Sequence, residues 1–283
     1  MCVTCGCESG TVAHDHDHDH DHDHDHDHDH DHDHGAATTP GERGFGVLRP
    51  AVTRTVSLEQ DLLAKNDRYA AGNRARFAES SVLALNLVSS PGSGKTTLLV
   101  ETLRALTGRH PVAVIEGDQQ TRLDADRIAA TGAPVVQLNT GKGCHLDAHQ
   151  VGHALASLAM PAGGVLFIEN VGNLVCPASF DLGEAHKVVV LSVTEGDDKP
   201  LKYPDMFRAA DLCLITKSDL LPYVPFDAAR AADNARLVHP GLECLTLSST
   251  THQGFDAWLA WLERELHACT ARAAPFAAHE ARA

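Results

Sequence analysis

Hydrophobic and polar positions follow two alternating rhythms along most of this chain. Compact apolar runs occupy 82–88, 111–115, 134–138, 164–169, 187–193, 212–216 and 243–247. Between them, near 95–107, 121–131, 145–159, 201–209, 227–237 and 254–267, apolar residues recur every three or four positions. A short continuous apolar run suits a strand buried on both faces, because neither side of its pleat meets water. The 3.6-residue rhythm suits a helix lying over such a strand. Regular alternation over 82–267 therefore predicts an α/β domain, a mostly parallel sheet covered by helices on both faces. Ligands of such sheets sit at the carboxyl ends of the strands.

Both ends of the chain depart from this pattern. Residues 1–43 have no apolar periodicity and read as a tail and linker, disordered without metal because they can bury no core. Residues 44–81 read as a helical segment. Leu58, Leu62, Leu63, Tyr69 and Phe77 lie among charges over 56–78, Ser57 can cap it, and Gly72 is expected to bend or break it. Residues 268–283 read as an Ala-rich, frayed C-terminal tail.

Composition changes the picture little. The 283 residues are 43% hydrophobic, enough for one large core. The net charge is −15, but ten of the acidic residues are the aspartates of 15–33, and without them the balance is −5. The acidity is local and no basic patch exists, so nucleic acid is not an expected partner. No apolar leader and no membrane-length apolar window are present, which predicts a cytoplasmic, reducing setting. Clustered cysteines there suggest metal or redox chemistry before structural disulfides.

The chemistry concentrates at predicted strand ends. The run 82–88 feeds Ser89-Ser-Pro-Gly92-Ser93-Gly94-Lys95-Thr96-Thr97, and a helix rhythm begins at once. Strand, glycine-rich turn and helix start form the context of a phosphate-binding P-loop (P-loop NTPase class), although Ser89 stands where the usual pattern has Gly. The loop N–H groups and helix N-terminus would face polyphosphate, Lys95 would reach the β/γ-phosphates, and Thr96 would bind Mg²⁺. The second strand ends in Glu116-Gly117-Asp118, and Asp118 is the candidate for holding Mg²⁺ or ordering the attacking water. The fourth ends in Glu169, with Gly172 three residues on, a Walker-B-like carboxylate. Thr216-Lys217-Ser218-Asp219 ends the sixth. Asp219 can accept from guanine N1–H and the 2-amino group while the Lys217 stem covers the ring. Thr216 departs from the usual Asn, and Ser248 is a candidate backing residue for the base.

Three constellations suit metal. Cys2, Cys5 and Cys7 place three thiolates on the tail, a soft donor set for Zn²⁺, Ni²⁺ or Cu(I). Behind them His14, His16, His18, His20, His22, His24, His26, His28, His30, His32 and His34 alternate strictly with aspartates. Neutral imidazoles bind Ni²⁺ and Zn²⁺, and the carboxylates keep the tract soluble and raise imidazole basicity. Finally Cys144-His145 and Cys176 fall on loops at the edge of the sheet that carries Glu169. Two or three ligands are few for a tetrahedral site, so a two-fold dimer that brings two sets together would complete or bridge them.

These strings together resemble the HypB family, the GTPases that insert nickel into [NiFe]-hydrogenase. The matching residues are the Cys2–Cys7 motif, the His-rich tract, LNLVSSPGSGKTTLL (85–99), GKGCHLDA (141–148), FIENVGNLVCP (167–177), SVTEGDDKPLKYPDMF (192–207) and ITKSDLLPY (215–223). The resemblance covers the first seven residues and essentially 82–267, and Ser89 belongs to the family's own version of the loop. It implies a signal-recognition/MinD-type P-loop GTPase fold and a homodimer formed with nucleotide or metal. It implies a high-affinity nickel site at Cys2, Cys5 and Cys7, and a weaker Ni²⁺/Zn²⁺ site at Cys144, His145 and Cys176. It also implies Mg²⁺ contacts from Thr96, Asp118 and Glu169. The partners it implies are the small zinc-containing nickel chaperone HypA and the hydrogenase large-subunit precursor. Segment 45–80 is a candidate partner surface, and Leu220, Leu221 and Val224 are candidates for the dimer.

The expected activity is slow, Mg²⁺-dependent hydrolysis of GTP to GDP and phosphate, with Lys95, Asp118 and Glu169 as catalytic candidates. A γ-phosphate switch would move the loops that hold nickel, and the His-Asp tract would add storage. Two alternatives stay open. One is a metallochaperone GTPase of the urease type, although that type carries Cys-Pro-His where this chain has Gly143-Cys144-His145. The other is chiefly a nickel or zinc buffer.

Overall fold

The computed structural model describes residues 50–119 and 122–280, with side chains described over 60–119 and 122–272. Cys2, Cys5, Cys7 and the histidines of 14–34 lie outside the described residues.

Among the described residues seven strands form one sheet: β1 (Leu83–Ser89), β2 (Val112–Asp118), β3 (Val135–Asn139), β4 (Val165–Gly172), β5 (His186–Ser192), β6 (Leu212–Thr216) and β7 (Glu243–Thr246). The spatial order is β3-β2-β4-β1-β5-β6-β7, and every pairing is parallel. The helices are α1 (Pro50–Glu79), α2 (Lys95–Leu106), α3 (Leu123–Ala129), α4 (Ala148–Ser157), α5 (Lys199–Lys202), α6 (Pro204–Ala209), α7 (Ala228–Val238) and α8 (Phe255–Glu280). Each strand matches an apolar run of the sequence, and the expected α/β class holds.

Alternate residues of each strand serve opposite faces. Leu83, Leu85 and Leu87 of β1 join Leu99 and Leu103 of α2 and Trp258 and Leu262 of α8. Ala84 of the same strand turns to the other face, where Phe77 of α1 and Val151 and Leu155 of α4 cover it. Val189 and Leu191 of β5 meet Phe207 of α6 and Ala231 of α7. Trp258 is 1% exposed, and its indole N–H donates to Thr102 Oγ1 at 2.9 Å, so its one polar atom is satisfied. Leu220, Leu221 and Val224 pack, partly buried, against the core below α6 and α7.

Four local expectations are corrected. The 201–209 helix is two helices, because Pro204 has no N–H to donate and keeps Tyr203 out of the helical region, at φ −125° and ψ 54°. The 145–159 helix begins only at Ala148. Asp147 caps it, accepting from Gln150 N at 2.8 Å while Gln150 bonds back to the Asp147 N–H, so His145 stays in the loop. Helix α8 runs on to Glu280, beyond the expected 267.

The fourth is helix α1, which is continuous through Gly72. Glycine costs a helix about 1 kcal/mol, and tertiary anchors offset it. Asn73 Nδ2 donates to the Ala148 and Leu182 carbonyls at 2.8 and 3.0 Å. Asn66 takes the Ala148 N–H at 2.9 Å and donates to the Asp181 carbonyl at 2.8 Å. Arg74 forks onto both oxygens of Asp181 at 2.8 Å. The amino-terminal helix is thereby fixed to α4 and to the 181–184 turn.

Candidate functional site

The carboxyl ends of β1, β2, β4 and β6 surround a cleft of about 550 Å³ lined by Gly92–Thr97, Glu116, Asp118, Glu169 and Lys217. Its floor is the loop between β1 and α2. Gly92 and Gly94 sit at φ +73° and +92°, a region that costs other residues strain, so the loop can turn its backbone inward. Helix α2 starts at Lys95 and aims its N-terminus into the cleft. Thr96 Oγ1 donates to Glu169 Oε1 at 2.7 Å, and Lys95 Nζ lies 3.4 Å from the same oxygen.

Parallel pairing sets Glu116 of β2 beside Glu169 of β4. Both are 2% exposed, and Oε2 of each is buried without a hydrogen-bond partner. Burial first, then the charges of Glu169, Asp118 and Asp124, push the Glu116 carboxyl up to about 8, against the pull of Lys95. Packed carboxylates with orphaned oxygens beside a Thr hydroxyl are a hard-donor set suited to Mg²⁺. Asp118 closes β2 and lines the same cleft, its Oδ1 accepting from Gln119 N at 2.6 Å. Arg127 of α3 enters from the rim and donates to Thr97 Oγ1 at 3.0 Å.

On the β6 side, Thr216 Oγ1 donates to the Ser93 carbonyl at 2.8 Å. The residue that departs from the usual Asn therefore ties β6 to the P-loop. Lys217, at φ +58°, donates from Nζ to the Gly92 carbonyl at 2.6 Å, and its Cε would lie 3.4 Å from a Cβ on Gly94. Asp219 Oδ1 accepts from Ser248 Oγ at 2.5 Å, while that Oγ takes the N–H groups of Thr250 and Thr251 at 3.1 Å each. Ser248 thus fixes the Asp219 carboxylate.

Cys144, His145 and Cys176 come together, their donor atoms all within 4.8 Å of one another and each residue half-buried. The two sulfurs are 2.8 Å apart, and Cys144 Sγ is 3.5 Å from His145 Nδ1. Burial, followed by the Cys176 sulfur, holds the Cys144 thiol above its usual range. Burial holds His145 below its own, which favours the neutral, metal-binding imidazole. Phe180 packs on the His145 ring at 4.0 Å between centroids.

The trio is wired to the cleft. Asn170, next after Glu169 and 1% exposed, takes the Leu146 N–H at 3.0 Å. Asn173 Nδ2 donates to the Cys144 carbonyl at 3.2 Å. Thr140 N–H donates to the Asp118 carbonyl at 2.9 Å, and Thr140 Oγ1 to the Gly143 carbonyl at 3.0 Å. Gly117 permits this closeness, because a Cβ there would stand 2.8 Å from Leu146. Lys187 of β5, 6% exposed, donates to the carbonyls of Pro177 and Phe180 at 2.9 and 3.1 Å and so clamps the loop behind Cys176.

A family model described as the CobW/HypB/UreG nucleotide-binding domain matches residues 83–246. The hydrogenase maturation factor HypB of Azotobacter vinelandii is 65% identical over 213 residues, covering 75% of this chain and 70% of that protein. This chain belongs to the HypB family of hydrogenase maturation factors. The crystal structure of HypB from Helicobacter pylori in complex with nickel is similar at 39% identity and TM-score 0.68, over 72% of this chain and 95% of that one. The HypB structure from Archaeoglobus fulgidus is similar at 38% identity and TM-score 0.67, over 72% and 99%.

Sequence reasoning about this HypB-family chain names Asp118 and Glu169 but passes over Glu116, Asn170 and Lys187. Glu116 carries a legible signal, an acid two residues before Asp118 and so on the same face of β2. Asn170 and Lys187 carry none, since what they hold lies on other loops.

Proposed function

We propose that this chain is a GTP-hydrolysing nickel metallochaperone that delivers nickel for assembly of the [NiFe]-hydrogenase active site. One observation carries the reading. The carboxyl end of β4 bears Glu169, which holds Lys95 and Thr96, and the residues just beyond it, Asn170 and Asn173, hold the loop of Cys144 and His145. Nucleotide and metal therefore share one strand end.

In this reading Gly92–Thr97 hold the phosphates and Lys95 meets the β/γ-phosphates. The base lies against Lys217 and Asp219. Mg²⁺, when bound, neutralises the charge developing on the phosphates. Thr96, Glu169, Glu116 and Asp118 would hold it, and Asp118 would orient the attacking water. To take GTP, Lys95 and Thr96 must leave Glu169 Oε1, and that exchange shifts Asn170 and the loop it ties. Nickel is cargo, held by Cys144, His145 and Cys176, with Zn²⁺ as a competitor for the same donors. The expected partners are a second copy of this chain, the zinc-containing nickel chaperone HypA and the hydrogenase large-subunit precursor.

The test is nickel release to a chromophoric chelator from the full chain, loaded with Ni²⁺ and given GTP, GDP or a non-hydrolysable GTP analogue. Nucleotide-dependent release that C144S/C176S abolishes supports the coupling. Identical release under all three nucleotides refutes it, because a ligand with no differential effect shifts no equilibrium.

A further inference from the structure

Helix α1 reaches both loops that carry Cys144, His145 and Cys176, and does so through two asparagines. Asn66 Oδ1 takes the Ala148 N–H at 2.9 Å, and its Nδ2 donates to the Asp181 carbonyl at 2.8 Å. Asn73 directs both N–H bonds of its amide outward, to the Ala148 and Leu182 carbonyls at 2.8 and 3.0 Å. Ala148 follows closely on His145, and Asp181 and Leu182 follow Cys176. Each side chain therefore bonds to both arms of the trio at once. Asn66 and Asn73 are 5% and 4% exposed, so solvent does not compete for these bonds.

A spacing follows from this. The Ala148 and Leu182 carbonyl oxygens share one nitrogen, so two hydrogen-bond lengths bound the gap between the arms. The seat is closely fitted. A Cβ on Gly152 of α4 would stand 3.0 Å from Asn73 Oδ1, and one on Gly183, at φ +92°, would stand 2.6 Å from the Ala70 carbonyl oxygen. Beyond the seat the arms meet again, with Phe180 on the His145 ring at 4.0 Å between centroids and the two sulfurs 2.8 Å apart. Cys144 and Cys176 are 32 positions apart in the chain, so only such tertiary contacts can bring them together.

We infer that Asn66 and Asn73 are positioning residues of the trio: α1 is a strut whose two amides set the distance between the Cys144–His145 arm and the Cys176 arm. The inference rests on the nickel reading of the trio only for its purpose. Both asparagines act through backbone groups and stand outside the lining of the nucleotide cleft. With the strut intact the donors are arranged before the ion arrives; without it, the cost of ordering two loops falls on metal affinity.

The experiment reads both arms in the full chain by mass spectrometry of the tryptic peptide 143–187, which holds Cys144 and Cys176 and no other cysteine. Protection from iodoacetamide at buffered free Ni²⁺ gives an occupancy midpoint at each sulfur. Separately, without metal, diamide takes one hydrogen from each thiol, its N=N bond becoming HN–NH as the S–S bond forms, and the rate of that joining reports the spacing of the arms. N66A/N73A is expected to raise the Ni²⁺ midpoint at both cysteines by about tenfold or more, slow the metal-free joining by about fivefold or more, and leave GTP affinity within about twofold. Each single substitution is expected to give part of the effect, which keeps the test open if the double variant fails to fold. Adding G72A, whose Cβ meets nothing within 4 Å, strengthens α1 without restoring the amides, so both defects should remain. An unchanged joining rate in the asparagine variants, or recovery of both readouts on adding G72A, overturns the strut and leaves the asparagines as general stabilisers of the helix. Absence of Ni²⁺ protection in the unsubstituted chain, with joining still slowed in the variants, instead refutes the nickel reading and upholds the spacing role.

Discussion

Asn170→Ala tests the link between nucleotide and metal. Asn170 Oδ1 accepts the N–H groups of Leu146 and Val171 at 3.0 Å each, and its Nδ2 donates to Asn86 Oδ1 at 3.2 Å. Leu146 and Asn86 are 0% exposed, so water cannot replace these bonds without the structure opening. A buried polar group left without its partner costs about 1–3 kcal/mol, and Ala strands two of them at fully buried residues. The expected destabilisation is about 4 kcal/mol, which for a domain of this size lowers Tm by about 10 °C. Lys95, Thr96 and Glu169 are untouched, so nucleotide should still bind. Freed from β4, the loop of Cys144 and His145 should hold nickel with the same affinity in GDP and in the GTP analogue. Thermal unfolding followed by circular dichroism reads the first effect, and competition with a chromophoric chelator reads the second. A Tm within about 2 °C of the unsubstituted chain, or nickel affinity that still answers to nucleotide, would refute the reasoning.

Three further outcomes are expected. On the proposed reading Asp219 accepts two guanine N–H groups, and Asp219→Asn would present a donor there instead; at about 1.5–3 kcal/mol for each charge-assisted bond, GTP affinity should fall at least about 100-fold while xanthosine triphosphate gains, measured by nucleotide competition. Lys187→Met strips the carbonyls of Pro177 and Phe180 of their donor and leaves Glu184, 3.8 Å from the ammonium, without a buried counter-charge; a loss of about 3–5 kcal/mol should accompany weaker nickel binding at the trio, seen in denaturant titration and chelator competition. His186 is held protonated above its ordinary range by Asp211 foremost and by Glu265, against burial. Its folded pKa exceeds the unfolded 6.5, so its stabilisation is fully present below that pH and lost as pH rises through the folded value. The Tm deficit of His186→Gln should therefore be largest below about pH 6.5 and shrink as pH rises above it, and a deficit growing with pH would contradict the assignment.

Among these elements, the strands were the most legible because a parallel strand covered on both faces admits few polar residues, and 82–88 or 187–193 can be little else. The P-loop, Glu169, Asp219 and the Cys144–His145–Cys176 set were legible because each needs particular residue types at a strand end. The break at Pro204 obeys a local rule that a reading of apolar rhythm alone passes over. Helix α1 shows the limit from the other side. Gly72 weakens the helix locally, and the grip of Asn66 and Asn73 on residues some 75 to 115 positions away helps it continue without a break.

The sequence by itself determined the α/β class, the strand positions, the phosphate loop and the residue types available to hold a guanine base and a soft metal. These follow from burial periodicity and from chemistry encoded within a few consecutive residues. Only the tertiary structure decided which carboxylates crowd together, because Glu116 faces Glu169 through the register of β2 on β4. It alone decided that Asn170 joins the cleft to the trio and that Lys187 clamps the Cys176 loop. Each is a contact whose energy depends on distance and burial, and neither quantity is set until the sheet and its helices have packed.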